Sequence, residues 1–180
     1  SDDLILVILQ NGYFYTTNFD LSNHYEPNIL SIEKFDANKV WTAALYDADQ
    51  KYYYLKRFQL EAGSRKQNFL GENPKSHLML LTDEAYPRIE VVFGGHDAFR
   101  EPLVLGAEEF IAVKGFKAKG KRISTFDIET INELDPVLFA SETQPQERND
   151  ADEEEAVPDP EADKSNSDII DEITGQMKLF

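Results

Sequence analysis

Strand-like segments recur in pairs along the first three quarters of this 180-residue chain, and this recurrence does most to limit the fold. In each pair, two runs rich in β-branched, aromatic or leucine residues flank a short polar turn, the pattern of an antiparallel hairpin. The pairs begin near residues 4, 41, 77 and 110, a spacing of roughly 35 residues that is typical of propeller-like or repeat architectures. The sequence therefore predicts an all-β fold made of repeated antiparallel sheets.

The turns between the paired runs support this prediction. The first pair surrounds Asn11 and Gly12, for which we expect a type I′ turn because that turn needs positive φ angles. The second pair surrounds the polar residues 47–51. A short helix is expected around residues 127–134. The predicted strands cover residues 4–9, 13–17, 28–32, 40–46, 52–58, 77–81 and 88–93.

The composition changes after Pro136. Residues 141–166 contain few apolar side chains and cannot bury enough surface to offset their ordering entropy, so we expect them to be disordered. Residues 141–180 carry 13 acidic and 3 basic side chains, whereas residues 1–140 carry 21 and 15, so most of the net charge of −16 lies in the last quarter. We therefore divide the chain into a β-domain, residues 1–140, and a disordered acidic tail, residues 141–180.

The sequence lacks the patterns of most catalytic and metal sites. It contains no cysteine, which excludes disulfides and thiolate metal sites. It has no phosphate-binding glycine loop and no nucleophile elbow, and His24, His77 and His96 are too far apart to suggest metal ligands. No apolar run approaches the roughly 20 residues of a membrane span. We therefore expect no active site, no cofactor and no membrane contact in this chain.

Residues 110–124 stand out against the acidic background. They hold five cations and no acid and turn on Gly115 and Gly120, which predicts a β-hairpin with a basic tip suited to phosphates. The alternative is a solvated, lysine-rich surface loop. A second basic group lies around the exit of the second pair and the loop at residues 62–71. Together they suggest a surface that follows the DNA backbone, with these candidate contacts: Lys114, Lys117, Lys119, Lys121, Arg122, Lys56, Arg57, Arg65 and Lys66.

Several stretches resemble one bacterial protein family. Residues 5–13 (ILVILQNGY), 28–32 (NILSI) and 55–58 (LKRF) are similar, in this order, to one repeat of the C-terminal domain of the gyrase A-like subunits of type IIA topoisomerases. Residues 110–123 (FIAVKGFKAKGKRI) resemble a late repeat of that domain. Residues 131–136 (INELDP) are similar to the run that closes the gyrase A-like subunit of topoisomerase IV in some bacteria.

This resemblance implies a β-pinwheel, a propeller-like disc of antiparallel blades that binds and bends DNA on its basic rim. The chain is long enough for only about three blades, so a partial disc is implied. Residues 64–71 (SRKQNFLG) keep the charge of the gyrase wrapping box but lack its paired glycines, which favours topoisomerase IV over gyrase. The family's cleavage tyrosine follows an arginine, and the chain has no Arg-Tyr pair, so a non-catalytic domain is implied.

The resemblance also implies the partners. They are duplex DNA, the ATPase subunit of the enzyme and the remainder of the gyrase A-like subunit, with ATP and magnesium used in other domains or subunits. A cytoplasmic, nucleoid-associated location is implied as well. The chain starts without Met and enters a strand almost at once, so we expect it to be a piece of a longer protein. The alternative, favoured by the net negative charge, is a β-propeller-like protein-interaction module without DNA contact.

The last five residues, QMKLF, resemble the pentapeptide that docks bacterial proteins onto the DNA polymerase sliding clamp. Large apolar side chains at the tip of a polar tail gain affinity by entering preformed pockets on a partner. The expected contacts are Gln176, Met177, Leu179 and Phe180. The alternative is a frayed terminus without a role.

Overall fold

The computed structural model describes residues 3–20, 22–136 and 153–154, which are built almost wholly of β-strands. The predicted tail, apart from residues 153–154, and the terminal residues Gln176, Met177, Leu179 and Phe180 lie outside the described residues. The elements are β1 (Leu4–Leu9), β2 (Tyr13–Asn18), β3 (Ile29–Lys34), β4 (Trp41–Asp47), β5 (Tyr52–Gln59), β6 (Gln67–Asn68), β7 (His77–Thr82), β8 (Arg88–Phe93), a 3-10 turn (Gly95–Asp97), β9 (Leu103–Gly106), α1 (Ala107–Phe110), β10 (Val113–Gly115), β11 (Gly120–Ser124), β12 (Ile128–Leu134) and β13 (Glu153–Glu154).

These strands form three sheets. The first sheet has the order β3-β1-β2-β6, the central sheet β13-β11-β5-β4-β7 with β10 also on β5, and the third sheet β12-β8-β9. All of their pairings are antiparallel except that of β10 with β5. The prediction of an all-β, pinwheel-like fold is confirmed. The third predicted pair is not a hairpin, because β7 pairs with β4 in the central sheet, whereas β8 pairs with β9 and β12 in the third sheet.

Two hydrophobic cores join the three sheets. The first contains Leu6, Ile8, Phe14, Ala43, Leu45, Tyr54 and Phe58, from the first and central sheets. The second contains Ala44, Leu55, Ile89, Val91, Ile128 and Ile131, from the central and third sheets. Strand β4 is buried on both faces because consecutive residues face different cores, which explains why its sequence does not alternate with polar residues. Each fully buried large side chain contributes roughly 1.5–3 kcal/mol to folding.

The first hairpin turns differently from the prediction. Of the two residues Asn11 and Gly12, only Gly12 has a positive φ angle, +84°, whereas a type I′ turn needs a positive φ at both. The Gly12 N–H donates to the carbonyl of Leu9 at 3.0 Å, and residues 10–12 form a three-residue loop. A Cβ at Gly12 would also collide with the Leu70 side chain, so glycine is needed there for both space and backbone angle.

Residues 128–134 form β12 instead of the expected helix. This strand pairs with β8 from Ile128 opposite Phe93 to Leu134 opposite Arg88. Ile128 and Ile131 enter the second core. Sheet pairing and burial override the modest helix preference of this segment.

The basic segment is not a hairpin. Its strands β10 and β11 both pair with β5, β10 in parallel and β11 antiparallel, so they lie one after the other along the same strand. The turn between them is closed by the Ala118 N–H, which donates to the carbonyl of Gly115 at 3.0 Å. Gly120 then adopts a φ of +94°, and a Cβ there would lie 2.5 Å from the carbonyl oxygen of Leu55. The glycine is what lets β11 approach β5 this closely.

Candidate nucleic-acid interface

The two predicted basic loops meet at one cleft of about 570 Å³. Lys66 enters it from the loop before β6, and Lys117 and Lys119 enter it from the turn between β10 and β11. Lys56, on β5, lies at its buried floor. In the sequence these two groups are about fifty residues apart, and it is the pairing of β10 and β11 with β5 that brings them together.

Lys66 is held at the cleft by partners that the sequence did not indicate. Its side chain is about half exposed and forms an ion pair with Glu26. The hydroxyl of Tyr15 donates to the other carboxylate oxygen of Glu26 at 2.9 Å. The hydrogen bond from Lys66 lowers the pKa of Glu26, while burial and the Glu26 contact raise the pKa of Tyr15 to about 12. Both groups keep the protonation states that hold Lys66 in place at neutral pH.

The other candidate cations are exposed or half-buried and lie on turns or on the strands β10 and β11. Lys117 is exposed, with its ammonium 5.8 Å from the centroid of the Phe116 ring, and Lys119 is half-buried. Arg65 is exposed next to Lys66. The half-buried pair from the basic strands consists of Lys114 on β10 and Arg122 on β11. The guanidinium of Arg122 lies 4.7 Å from the centroid of the Tyr52 ring.

Three predicted contacts are buried: Lys56, Arg57 and Lys121 are 3%, 7% and 5% exposed. Burial lowers the pKa of Arg57, and the neighbouring charge of Glu108 opposes this shift. The ammonium of Lys121 lies 4.8 Å from the centroid of the Phe110 ring. Because these three side chains are buried, they are not part of the exposed basic surface.

The cleft also contains carboxylates. Three acidic residues line it together with the lysines: Asp47, which ends β4, Asp49 in the turn that follows, and Glu72. Asp47 accepts hydrogen bonds from the backbone N–H groups of Asp49 and Gln50, and Asp49 accepts one from the side-chain amide of Asn73 at 2.7 Å. Asp47 and Asp49 are therefore engaged in shaping the turn, and the cationic wall of the cleft is formed by the two loops. The sequence did not indicate that these acidic residues lie in the same cleft as the basic residues.

A second cleft, of about 710 Å³, has the opposite charge. Four carboxylates line it: Glu33, Asp83, Glu84 and Glu133. Among the described residues no cation lines this cleft, although Lys39 forms ion pairs with Glu33 and Asp83. In the part of the chain that the structure describes, no group of three or more His, Asp and Glu side chains is arranged to hold a metal ion. No helix among the described residues is long and apolar enough to cross a membrane.

A protein-family comparison identifies the domain to which these sheets and the cleft belong. The family model described as topoisomerase C-terminal domain, Bacteroidota, matches residues 1–135, which is three quarters of the chain and includes both basic loops. Among curated proteins and among solved structures, none matches. On the family match, the chain belongs to the topoisomerase C-terminal domain family of Bacteroidota.

Proposed function

We propose that this domain binds duplex DNA through the cleft loops and positions it for strand passage by a type IIA topoisomerase, as the C-terminal domain of the gyrase A-like subunit of topoisomerase IV. The observation that carries the proposal is that loops distant in sequence present Lys66, Lys117 and Lys119 to a single cleft. Exposed Arg65 extends the same loop. Phosphate contacts supply most of the affinity for DNA, so clustered, accessible cations are what such a surface requires.

The size of the cleft favours contact with the DNA phosphate backbone over recognition of the bases. A cleft of about 570 Å³ has the size of a small-molecule site and admits a phosphodiester segment, not a whole duplex. The duplex would therefore rest on the rim, where lysines on turns follow phosphates without reading the sequence. The half-buried Lys114 and Arg122 on the adjoining strands extend this path.

The proposal extends to the rest of the enzyme. The cleavage tyrosine, ATP and magnesium belong to other domains or subunits, and the domain acts in the cytoplasm on nucleoid DNA. The terminal Gln176-Met177-Lys178-Leu179-Phe180 is proposed to dock on the sliding clamp, with Leu179 and Phe180 as its apolar anchors.

The test is the affinity for a fluorescent duplex measured over a salt series. We expect the triple variant Lys66→Gln, Lys117→Gln and Lys119→Gln to bind all sequences more weakly. The slope of the logarithm of the binding constant against the logarithm of salt concentration should become shallower by about 2.7, at about 0.9 per phosphate contact. The matched control replaces three exposed cations that do not line the cleft, Lys34, Lys75 and Arg88, by glutamine. No binding by the unmodified chain at about 50 mM salt would favour the protein-interaction module instead.

A further inference from the structure

Lys56 occupies a position where the strand pattern calls for an apolar residue. Along β5, Tyr54 and Phe58 point to the same face as Lys56, and both are fully buried in the first core. Lys56 lies opposite Ala43 of β4, which belongs to the same core. A lysine between two core aromatics is therefore an exception that needs a reason.

The side-chain nitrogen of Lys56 joins the two basic loops. It donates one hydrogen bond to the carbonyl of Phe69 at 2.7 Å and another to the carbonyl of Phe116. Phe69 directly follows β6, three residues after Lys66, and Phe116 directly precedes Lys117. One side chain thus links the backbones of both segments that present cations to the cleft.

This arrangement is costly as a device for stability. Among the described residues, no carboxylate forms a salt bridge with Lys56. Burial lowers its pKa to about 7, which reflects the loss of hydration that the charged form suffers. An apolar side chain of similar volume is often as stable or more stable at such a buried position. What an apolar side chain cannot supply is a pair of directed bonds to two backbone carbonyls.

Backbone hydrogen bonds attach each segment to its own sheet, because β6 pairs with β2, the Phe69 N–H donates to the Gly12 carbonyl at 3.1 Å, and β10 pairs with β5. Ring packing joins one segment to the other. Phe14 contacts both Phe69 and Phe116, with ring centroids 6.2 Å and 5.0 Å apart. These contacts hold the two segments on one core, but apolar packing is non-directional and tolerates sliding of the backbone. The hydrogen bonds of Lys56 fix the carbonyls themselves, and therefore the separation of the residues that follow them.

We propose that Lys56 is a positioning residue that holds the two basic loops at the spacing in which both face the cleft. Its importance for DNA rests on the proposed function, whereas the spacing is a property of the folded chain alone. If only about a tenth of molecules keep the competent spacing without Lys56, the apparent affinity for DNA falls about tenfold.

The first test measures the spacing without DNA. The chain has no cysteine, so Ser64→Cys and Lys117→Cys, both at exposed positions, allow two spin labels to report the distance between the loops. In the Lys56→Met variant we expect a clearly broader distance distribution with unchanged strand content. The matched control is Lys121→Met, which removes another buried ammonium that bonds neither loop, and we expect it to keep the original distribution. An unchanged distribution in Lys56→Met would overturn the proposal.

The second test measures duplex affinity without the labels. Lys56→Met should bind about tenfold more weakly, and Lys121→Met should bind like the unmodified chain. A broadened distance with full affinity would show that the spacing does not serve DNA binding and would overturn the role proposed for Lys56. If the unmodified chain binds no DNA, the proposed function fails, while the distance measurement still decides the spacing. Should Lys56→Met not fold, Lys56→Gln, which keeps a polar group but is too short to bridge both carbonyls, takes its place.

Discussion

Lys117 and Lys121 lie in the same basic segment, yet one ammonium is in solvent and the other is inside the fold. Lys117 is on the turn between β10 and β11, whereas Lys121 is on β11, which pairs with the central strand β5. The second basic group divides in the same way, since Lys56 and Arg57 lie on β5 and Arg65 lies on a loop. The exposed cations on turns are therefore available to a ligand, and the buried cations on β5 and β11 serve the fold.

The largest expected effect is on stability, through the close contact between β5 and the strand that carries Lys121, β11. Gly120→Ala should lower the free energy of unfolding by about 3 kcal/mol, because the left-handed backbone is unfavourable for alanine and its Cβ would press on the Leu55 carbonyl. Urea unfolding measures this change. Gly115→Ala is the control, since a Cβ at Gly115 meets nothing within 4 Å. Equal stability of the two variants would mean that β11 does not need its close approach to β5.

The buried Lys56 should make stability depend on pH. Burial lowers its pKa from 10.5 to about 7 in the folded chain, so between these values the unfolded chain holds the proton and the folded chain does not. The free energy of unfolding should therefore rise with pH in that window, by up to about 1.4 kcal/mol per pH unit from this group. Urea unfolding at about pH 7, 8 and 9 measures the slope. Lys56→Met should lack this contribution, and a variant with the same slope would contradict the assignment.

A smaller difference in stability is expected between the alanine variants of Arg57 and Lys117. The Nε of Arg57 lies 3.4 Å from the Thr42 hydroxyl, and the side chain is buried, so Arg57→Ala should destabilise the fold by about 2 kcal/mol. Lys117→Ala should change stability by no more than about 0.5 kcal/mol, because that side chain is exposed. Chemical denaturation of both variants provides the comparison, and a reversed order would show that the strand cation does not serve the fold.

The tail should have the smallest effect. Residues 153–154 pair with Gly120 and Lys121 of β11, so acidic tail residues run beside the basic strand. Cutting the chain after Phe139 removes this competitor and should tighten duplex binding about threefold at low salt, with the difference fading as salt screens it. A variant that keeps the tail but carries amides in place of its carboxylates shows whether the charge of the tail or its strand pairing weakens duplex binding. Equal affinity with and without the tail across the salt range would exclude restraint by the tail.

The sequence predicted the strands well because each is short, rich in β-branched or aromatic residues and followed by turn chemistry. Strands β4, β5, β7 and β8 lie within a residue of their predicted bounds. What it did not predict depends on pairing between distant segments. Residues 128–134 became a strand because β8 offers a partner, and residues 113–124 did not form a hairpin because β5 accepts both of their strands.

The candidate site was predictable in part for the same reason. The run of basic residues at 114–122 identified the right region, and the cleft joins it to the predicted second group. The sequence did not show which cations point inward, because that depends on the strand and the face to which each belongs. It also did not indicate that Glu26 and Tyr15 hold Lys66, since these residues lie about 40 positions or more before it and approach only in the fold.

The most direct test of the division between turn and strand cations is a lysine acetylation footprint, with and without duplex DNA, read by mass spectrometry at each lysine. We expect DNA to protect Lys66 and Lys117, both of which are exposed in the free chain. Lys34, which is 70% exposed and does not line the cleft, should react equally in both states. Lys56 and Lys121 should react slowly throughout, because they are buried. Protection of Lys34 as strong as that of Lys66 and Lys117, or rapid acetylation of Lys56 and Lys121 in the free chain, would contradict the account.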